Sequence, residues 1–280
     1  MSAVVVFIIF AICLVIAIPI SISLGIVAVL PGAFDASFTA SAGYVIRSMV
    51  GGIDSFPLLA VPMFVLAGIL MAHGKISEKL FDVFVYFLGN KRAGIPCAVI
   101  ITCLFYGAIS GSAPATVAAV GSMTIPLLIE LGYEKDFSTA IVAVAGGLGV
   151  IIPPSIPFIM YAMATGESVS DLFLAGIVPG MMISALLIFY AYYYCRRHGE
   201  DREKIQAKMG QLKAKGFFNI LKESIWALLS PVIVLGCIYT GVASPTEAAV
   251  ISVFYSLFVS LFIYRSIKVK QIWGIMVEAM

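Results

Sequence analysis

Charged residues are scarce in this 280-residue chain, and two long stretches contain none. The first runs from Ala93 to Ile129 and the second from Phe137 to Gly166. A proton relay inside a membrane needs ionisable side chains, and an intramembrane hydrolase needs a base or metal ligands beside its nucleophile. These groups are missing from both stretches, so an ion or substrate bound there must be held by neutral groups.

Histidine and cysteine are also rare. The two histidines, His73 and His198, fall at the ends of apolar segments, where a solvated side chain is expected. The five cysteines are scattered through apolar segments without the spacing of a metal site or a disulfide framework. We therefore expect no metal centre, no disulfide bond and no organic cofactor.

Apolar residues, in contrast, make up 61% of the chain against 11% for charged residues, and the mean hydropathy is +1.09. This composition is typical of an all-α protein that crosses a membrane several times. Val4 to Leu30, with Pro19 inside, fits one kinked span or two short ones, and a small polar segment follows at 31–55. Further spans are predicted at 56–72, 177–195, 225–242 and 248–263, with a short separate segment at 168–174.

The first charge-free stretch is too long for one span, because a helix over 93–129 would be about 55 Å long, roughly twice the core of a bilayer. Its middle, Ser110-Gly111-Ser112-Ala113-Pro114, contains helix-breaking residues. Pro96 and Pro126 then leave arms of about 14 and 12 residues, which are short of a bilayer core. The pattern predicts a re-entrant hairpin, and two short spans joined by a plain loop are the alternative.

The second charge-free stretch, at 137–166, is interrupted in the same way. Pro153 and Pro154 remove two backbone donors and push Ile152 out of helical geometry. We expect two half-helices joined by an unwound turn, with an ordinary proline kink as the alternative. Unwound backbone at membrane depth survives only where it is buried or lines a cavity, and facing discontinuous helices form the sites of secondary transporters.

The charges that the chain does have are sorted by segment. Ile76 to Leu88 carries charges on one face and apolar residues on the other, which predicts an amphipathic helix lying in the membrane interface. A second such helix begins at Lys268. Placing the basic block 196–216 in the cytoplasm puts sixteen of the seventeen basic residues there and only Arg47 outside.

Neutral oxygen atoms are the ligands that remain near the two breaks. Hydroxyl groups of Ser110, Ser112, Thr116 and Ser155, with carbonyl groups freed by the breaks, suit a hard cation such as sodium. Helix capping is the alternative use of these serines. Helices that begin near Pro114 and Ser155 would point their positive dipole ends at one region, which attracts a carboxylate. The expected cargo is a small organic anion moved with a cation.

Four motifs in order resemble the large membrane subunit of tripartite ATP-independent periplasmic (TRAP) transporters. They are Gly107-Ala108-Ile109-Ser110-Gly111-Ser112-Ala113-Pro114-Ala115-Thr116, Val150-Ile151-Ile152-Pro153-Pro154-Ser155-Ile156-Pro157, Phe173-Leu174-Ala175-Gly176-Ile177-Val178-Pro179-Gly180 and Ser244-Pro245-Thr246-Glu247-Ala248-Ala249. The resemblance implies an elevator-type, sodium-coupled importer of carboxylates, such as C4-dicarboxylates or sialic acid, in the bacterial inner membrane. It also implies a small four-helix membrane subunit and a periplasmic substrate-binding protein as partners.

The resemblance further implies the site residues. The family's first sodium site joins the hairpin tip to the unwound helix, which in this sequence means Ser110 and Ser112 with carbonyl groups near Gly149, Ile152 and Pro154. The residues expected beside the substrate are Pro114, Thr116 and Ser155. The family's second sodium site draws on a second repeat, so we assign it no residue.

Three regions are expected. Residues 1–90 form scaffold spans and the interfacial helix, 91–175 the transport region, and 176–280 a span, the basic loop, two more spans and the start of another interfacial helix. A single hairpin indicates the first part of a longer polypeptide with an inverted second repeat.

Two other hypotheses are a single-chain organic-anion/sodium symporter without a binding protein and, less favoured, a membrane-embedded transferase or hydrolase. Topology alone explains the basic loop, so no nucleic-acid partner is expected.

Overall fold

The computed structural model of the protein describes residues 3–34, 42–214 and 216–279. Within these ranges the chain forms fourteen α-helices, joined by turns and by short 3-10 and π-helical segments. It divides into two compact units, Met1–Ser55 and Phe56–Met280. The all-α prediction is confirmed for the described residues.

The first unit contains three helices. They are α1 (Ala3–Val15), α2 (Ile20–Phe34) and α3 (Ala42–Ile53). The apolar amino-terminal stretch therefore forms two short helices, with the break just before α2 at Pro19. Helix α3 was not predicted, although half of its residues are large and apolar. Part of that segment, 35–41, lies outside the described residues.

The second unit is built around α6. Its helices are α4 (Ala60–His73), α5 (Ile76–Leu88), α6 (Gly94–Ser110), α7 (Ala113–Glu130), α8 (Lys135–Gly146), α9 (Ile156–Thr165), α10 (Val169–His198), α11 (Arg202–Ala214), α12 (Phe217–Tyr239), α13 (Pro245–Phe258) and α14 (Val269–Ala279). Helix α6 contacts α4, α5, α7, α8, α10 and α12, and most of its side chains are buried. The Tyr106 hydroxyl of α6 donates a hydrogen bond to the Gly68 carbonyl of α4 at 2.8 Å.

Five segments of the described chain are long and apolar enough to cross a membrane. They are Phe56–His73, Ala113–Glu130, Val169–His198, Phe217–Tyr239 and Pro245–Ile263. Four of them match predicted spans, and the helices at 225–242 and 248–263 were placed correctly. The separate segment predicted at 168–174 is wrong, because α10 begins at Val169 and continues through it. The Ser168 hydroxyl caps this helix by accepting from the Asp171 amide at 3.3 Å.

The predicted arm lengths of the hairpin are also wrong. Helix α6 has 17 residues and α7 has 18, so α7 is itself long enough to cross a membrane. Pro96 lies in the first turn of α6, where a missing backbone donor costs nothing. Pro126 lies inside α7. Arm length therefore does not distinguish a re-entrant hairpin from two spans.

Helix α5 has the predicted bounds but a different environment. Its apolar residues Ile76 and Leu80 are fully buried, and the helix packs against α6 and α12. Phe87 remains 56% exposed. The expectation that its apolar face lies on the membrane is therefore wrong for most of the helix, because α6 and α12 bury that face instead.

Several basic segments meet at one end of the second unit. The Lys79 ammonium pairs with the Glu223 carboxylate, and the Ser224 hydroxyl donates to the Lys79 carbonyl at 2.9 Å. The Arg202 guanidinium donates to the Asn90 carbonyl at 3.2 Å. These contacts join the first turn of α5 to α12 and the loop after α5 to the start of α11, segments that the charge distribution assigns to the cytoplasm.

Candidate functional site

The two predicted breaks lie against each other. The tip, residues 110–114, contains the turn between α6 and α7, and the unwound turn, residues 151–155, separates the two halves of the second broken helix. The Ile156 amide donates a hydrogen bond to the Gly111 carbonyl at 3.3 Å. This bond joins the tip to the first residue of α9.

Glycine allows the two backbones to approach closely. A β-carbon built on Gly107 would lie 2.5 Å from the Gly149 α-carbon, a distance that real side chains do not show. A β-carbon on Gly149 would lie 2.6 Å from the Thr116 Oγ1 atom and 3.1 Å from the Ser112 carbonyl oxygen. Gly111 has a φ of +63°, the left-handed conformation that glycine adopts without strain. The contact therefore leaves no room for a side chain at Gly107 or Gly149.

Two helices begin at this contact with the same local sequence pattern. The Ser112 hydroxyl accepts from the Ala115 amide at 3.5 Å, and the Ser155 hydroxyl accepts from the Phe158 amide at 3.3 Å. A proline occupies the first turn of each helix, as Pro114 in α7 and as the second residue of α9. Both serines therefore have the capping role that the sequence left open.

Hydroxyl groups connect the tip internally. The Ser110 and Thr116 hydroxyls lie 3.1 Å apart, and the Thr116 hydroxyl donates to the Ser112 carbonyl at 2.8 Å. Ser110 is 1% exposed and Thr116 is fully buried. Thr116, which was expected beside the substrate, thus shares a network with the expected sodium ligand Ser110. The Ser155 hydroxyl is directed elsewhere, because it donates to the Val150 carbonyl at 2.7 Å.

The unwound turn leaves backbone acceptors unused. Within the described residues no hydrogen bond reaches the carbonyl oxygens of Gly149, Ile152 or Pro154, although all three residues are buried. Buried carbonyl groups are usually paired with a donor, an ordered water or an ion. A β-carbon on Gly111 would lie 2.8 Å from the Pro154 oxygen, so this acceptor is next to the tip.

The expected site residues are therefore brought together only in part. Ser110, Ser112, Thr116 and Gly149 lie at one contact, with the Pro154 carbonyl on its other side at Gly111. The Ile152 side chain instead packs on α10, since a β-carbon built on Gly180 would lie 2.2 Å from its Cδ1 atom. Pro114 is exposed. Sequence reasoning missed Gly107 as a packing residue, although its place one turn before the tip was a usable signal.

The described residues contain no group of three or more histidine, cysteine, aspartate or glutamate side chains that would hold a metal ion. The tip and the unwound turn are thus built from hydroxyl groups, backbone and helix termini. Paired broken helices with these groups at their contact, in an all-helical protein with five possible spans, are features of membrane transporters.

Comparison with known proteins gives the family. Residues 7–280 match the family model described as "Tripartite ATP-independent periplasmic transporter, DctM component". The chain is 42% identical to the isethionate TRAP transporter permease protein DctMQ of Oleidesulfovibrio alaskensis, over 96% of this chain and 41% of that protein. It is 33% identical to the C4-dicarboxylate TRAP transporter large permease protein DctM of Rhodobacter capsulatus, over 97% of this chain and 63% of that protein. With the sialic acid TRAP transporter permease protein SiaT of Haemophilus influenzae it shares 35% identity, over 84% and 37% of the two chains.

The chain belongs to the DctM family of TRAP transporter permeases. It is a multi-pass protein of the bacterial inner membrane. The resemblance seen in the four sequence motifs is confirmed. The chain spans about half the length of the curated relatives that it matches.

Proposed function

We propose that this chain is part of the large subunit of a sodium-coupled TRAP transporter that imports a small organic acid. The observation that carries the proposal is the contact between two broken helices, where helix amino termini, hydroxyl groups and unpaired carbonyl groups converge. Helix amino termini favour an anionic group, and neutral oxygen atoms favour a hard cation. One contact thus offers partners for both a carboxylate and a sodium ion.

The sodium ion is assigned to the boundary between the tip and the unwound turn. Gly149, Ile152 and Pro154 are buried residues whose carbonyl groups accept no hydrogen bond from the described residues, which suits them to an ion. The Ser110 hydroxyl lies 3.1 Å from the Thr116 hydroxyl, whose oxygen would be 2.6 Å from a β-carbon built on Gly149. The proposed ligand atom of Ser112 is its carbonyl oxygen, because its hydroxyl group caps α7.

The substrate is a small organic acid whose carboxylate faces the starts of α7 and α9. Relatives are named for C4-dicarboxylates, sialic acid, isethionate, ectoine and 2,3-diketo-L-gulonate. The shared chemistry of most of these compounds is a small anion, which fits the two helix termini. Pro114, Thr116 and Ser155 are proposed to border it.

The remaining parts of the proposal concern movement and partners. We assign the α6–α7 hairpin a re-entrant path and the second unit an elevator-type motion, in which the tip and the unwound turn move together. A small four-helix membrane subunit and a periplasmic binding protein complete the transporter. A single-chain symporter would differ in one respect, because its uptake would not need the binding protein.

The test measures uptake into proteoliposomes by the permease that carries this chain, reconstituted with its membrane subunit and binding protein. Ser110→Ala removes a hydroxyl at the boundary, and we expect it to raise the sodium concentration for half-maximal uptake several-fold. Ser122→Ala is the matched control, since that hydroxyl is exposed on α7 and donates only to the Ala119 carbonyl at 3.2 Å. An unchanged sodium curve for Ser110→Ala, or uptake driven by a proton gradient without sodium, would refute the sodium assignment.

A further inference from the structure

One side of the second unit contains a groove between α6 and α10. Its volume is about 480 Å³, and Lys91 and Arg92 stand at one end, on the loop before α6. The rest of the lining is apolar or aromatic. The residues that form it are Leu88, Gly94, Cys97, Ile101, Ala185, Ile188, Phe189 and Tyr192.

The groove follows the start of α6 and the second half of α10. Cys97 and Ile101 lie on one face of α6, and Ala185, Ile188 and Phe189 lie on one face of α10, at helical spacing. From Gly94 to Ile101 the helix rises about 10 Å, so the groove is about one third as deep as a bilayer core. Lys91, Arg92 and Tyr192 lie at its shallow end, where α6 begins and α10 approaches its end.

The two basic side chains at the mouth have no anionic partner in the described structure. Both are exposed, and neither takes part in an ion pair there. The Glu200 carboxylate bonds to the residue after Arg92, and its partners are the Ala93 amide, the Tyr133 hydroxyl and the Arg202 guanidinium. Glu200 is therefore already occupied, and the positive charge of Lys91 and Arg92 is uncompensated.

We propose that this groove binds an anionic phospholipid. Its phosphate group would pair with Lys91 and Arg92, and one acyl chain would lie against Cys97, Ile101 and Phe189. A phosphate is the group that arginine and lysine recognise together, and basic residues beside a span attract anionic lipids. With the charge orientation given above, the lipid belongs to the cytoplasmic leaflet.

A second groove on α10 provides the contrast. It lies between α8 and α10, has a volume of about 440 Å³ and has Glu134 and Asp136 at its mouth. Its apolar and aromatic lining is similar, with Tyr190 and Tyr194 in place of Tyr192. The two grooves differ mainly in the sign of the charge at the mouth, so an anionic lipid should occupy the first and not the second.

The test uses photoactivatable phosphatidylglycerol, with the reactive group in the acyl chain, in phosphatidylcholine nanodiscs that hold the permease carrying this chain. Labelling is mapped by mass spectrometry of peptides. We expect labelling of α6 near 97–101 and of α10 near 185–189, and about 30-fold weaker phosphatidylglycerol binding in the Lys91→Gln/Arg92→Gln variant, at about 1 kcal/mol for each basic side chain. Arg196→Gln/Arg197→Gln removes two exposed charges at the end of α10 and is the matched control, expected to label like wild type.

Two further arms keep the result interpretable. Photoactivatable phosphatidylcholine should label the groove weakly and equally in wild type and in the Lys91/Arg92 variant. Ala185→Trp keeps the charges but fills the groove, and we expect it to abolish phosphatidylglycerol labelling. Equal labelling by both lipids in wild type, unchanged labelling in the Lys91/Arg92 variant, or a groove that neither lipid reaches would overturn the proposal.

Discussion

The Tyr133 hydroxyl donates a hydrogen bond of 2.7 Å to the Glu200 carboxylate, between the loop after α7 and the loop after α10. The same carboxylate oxygen accepts from the Ala93 amide at 3.0 Å, immediately before α6. Its second oxygen lies 3.1 Å from the Arg202 guanidinium, and the Glu200 side chain is only 2% exposed. One carboxylate thus joins the first and last turns of the α6–α7 hairpin to the loop that follows α10.

Tyr133→Phe should destabilise the protein, because it removes one donor from this nearly buried carboxylate. A hydrogen bond to a charged group contributes about 2 kcal/mol, and we expect a loss of that order in the free energy of unfolding. Thermal unfolding in detergent measures it. Tyr193→Phe, at an exposed position on α10, is the control and should unfold like wild type. Equal unfolding temperatures for all three proteins would contradict the role given to the bond.

The same pair predicts a dependence of stability on alkaline pH. Burial, and then the hydrogen bond and charge of Glu200, raise the pKa of Tyr133 well above its usual value. Because the folded-state pKa is raised, the stabilisation is fully present below the unfolded pKa, about 10, and is lost as the pH rises further. The difference in unfolding free energy between wild type and Tyr133→Phe should stay constant from about pH 7 to 9 and narrow above about pH 10. A difference that stays constant throughout would show that Tyr133 has an ordinary pKa.

The close approach of the two breaks predicts a steric effect of single methyl groups. Gly107→Ala and Gly149→Ala place a β-carbon within 2.6 Å of neighbouring atoms, whereas Gly147→Ala meets nothing within 4 Å. We expect each of the first two substitutions to lower the free energy of unfolding by about 1 to 3 kcal/mol through overpacking. They should also abolish uptake, since the atoms nearest a β-carbon on Gly107 are backbone atoms of Gly149. Gly147→Ala should be close to wild type in both stability and uptake. Normal uptake by Gly107→Ala would show that the contact opens during transport.

Orientation is tested by labelling from each side of the membrane. Lys208 on α11 and Val242 just after α12 are both exposed, and α12 lies between them in the chain. In a background without the five native cysteines, Lys208→Cys should react with an impermeant thiol reagent only from the cytoplasm. Val242→Cys should react only from the periplasm. The opposite pattern would reverse the topology and move the hairpin to the other face.

Local sequence signals were enough for many elements. The bounds of α5 followed from charged residues on one face and from Gly89, which follows its last residue. The tip and the unwound turn followed from clustered glycine and proline. The shortened α7 arm predicted from Pro126 was wrong, because this proline lies inside a helix that packs against α6 and α8. The burial of α5 depends on α6 and α12, and no local pattern reports such tertiary packing.

The candidate site was predicted in the same uneven way. The residue types at the breaks placed Ser110, Ser112 and Ser155 in the candidate site, but they did not show which hydrogen-bond partner each would take. The bond between the Thr116 and Ser110 hydroxyls, and the bond from the Ser155 hydroxyl to the Val150 carbonyl, depend on the backbone path of each turn, which residue types alone do not give. No sequence pattern pairs Gly107 with Gly149, and only the structure shows that they lie in contact.

The helix caps of the tip and the unwound turn are self-contained. Ser112 caps Ala115, and Ser155 caps Phe158, so each turn satisfies its own backbone with atoms three residues away. The Ser244 and Glu247 pair does the same at the start of α13. A turn secured from within keeps its shape without help from its neighbour. In the motion proposed above, the two turns can therefore travel as one preassembled body, and the surface that they share need not be rebuilt in each cycle.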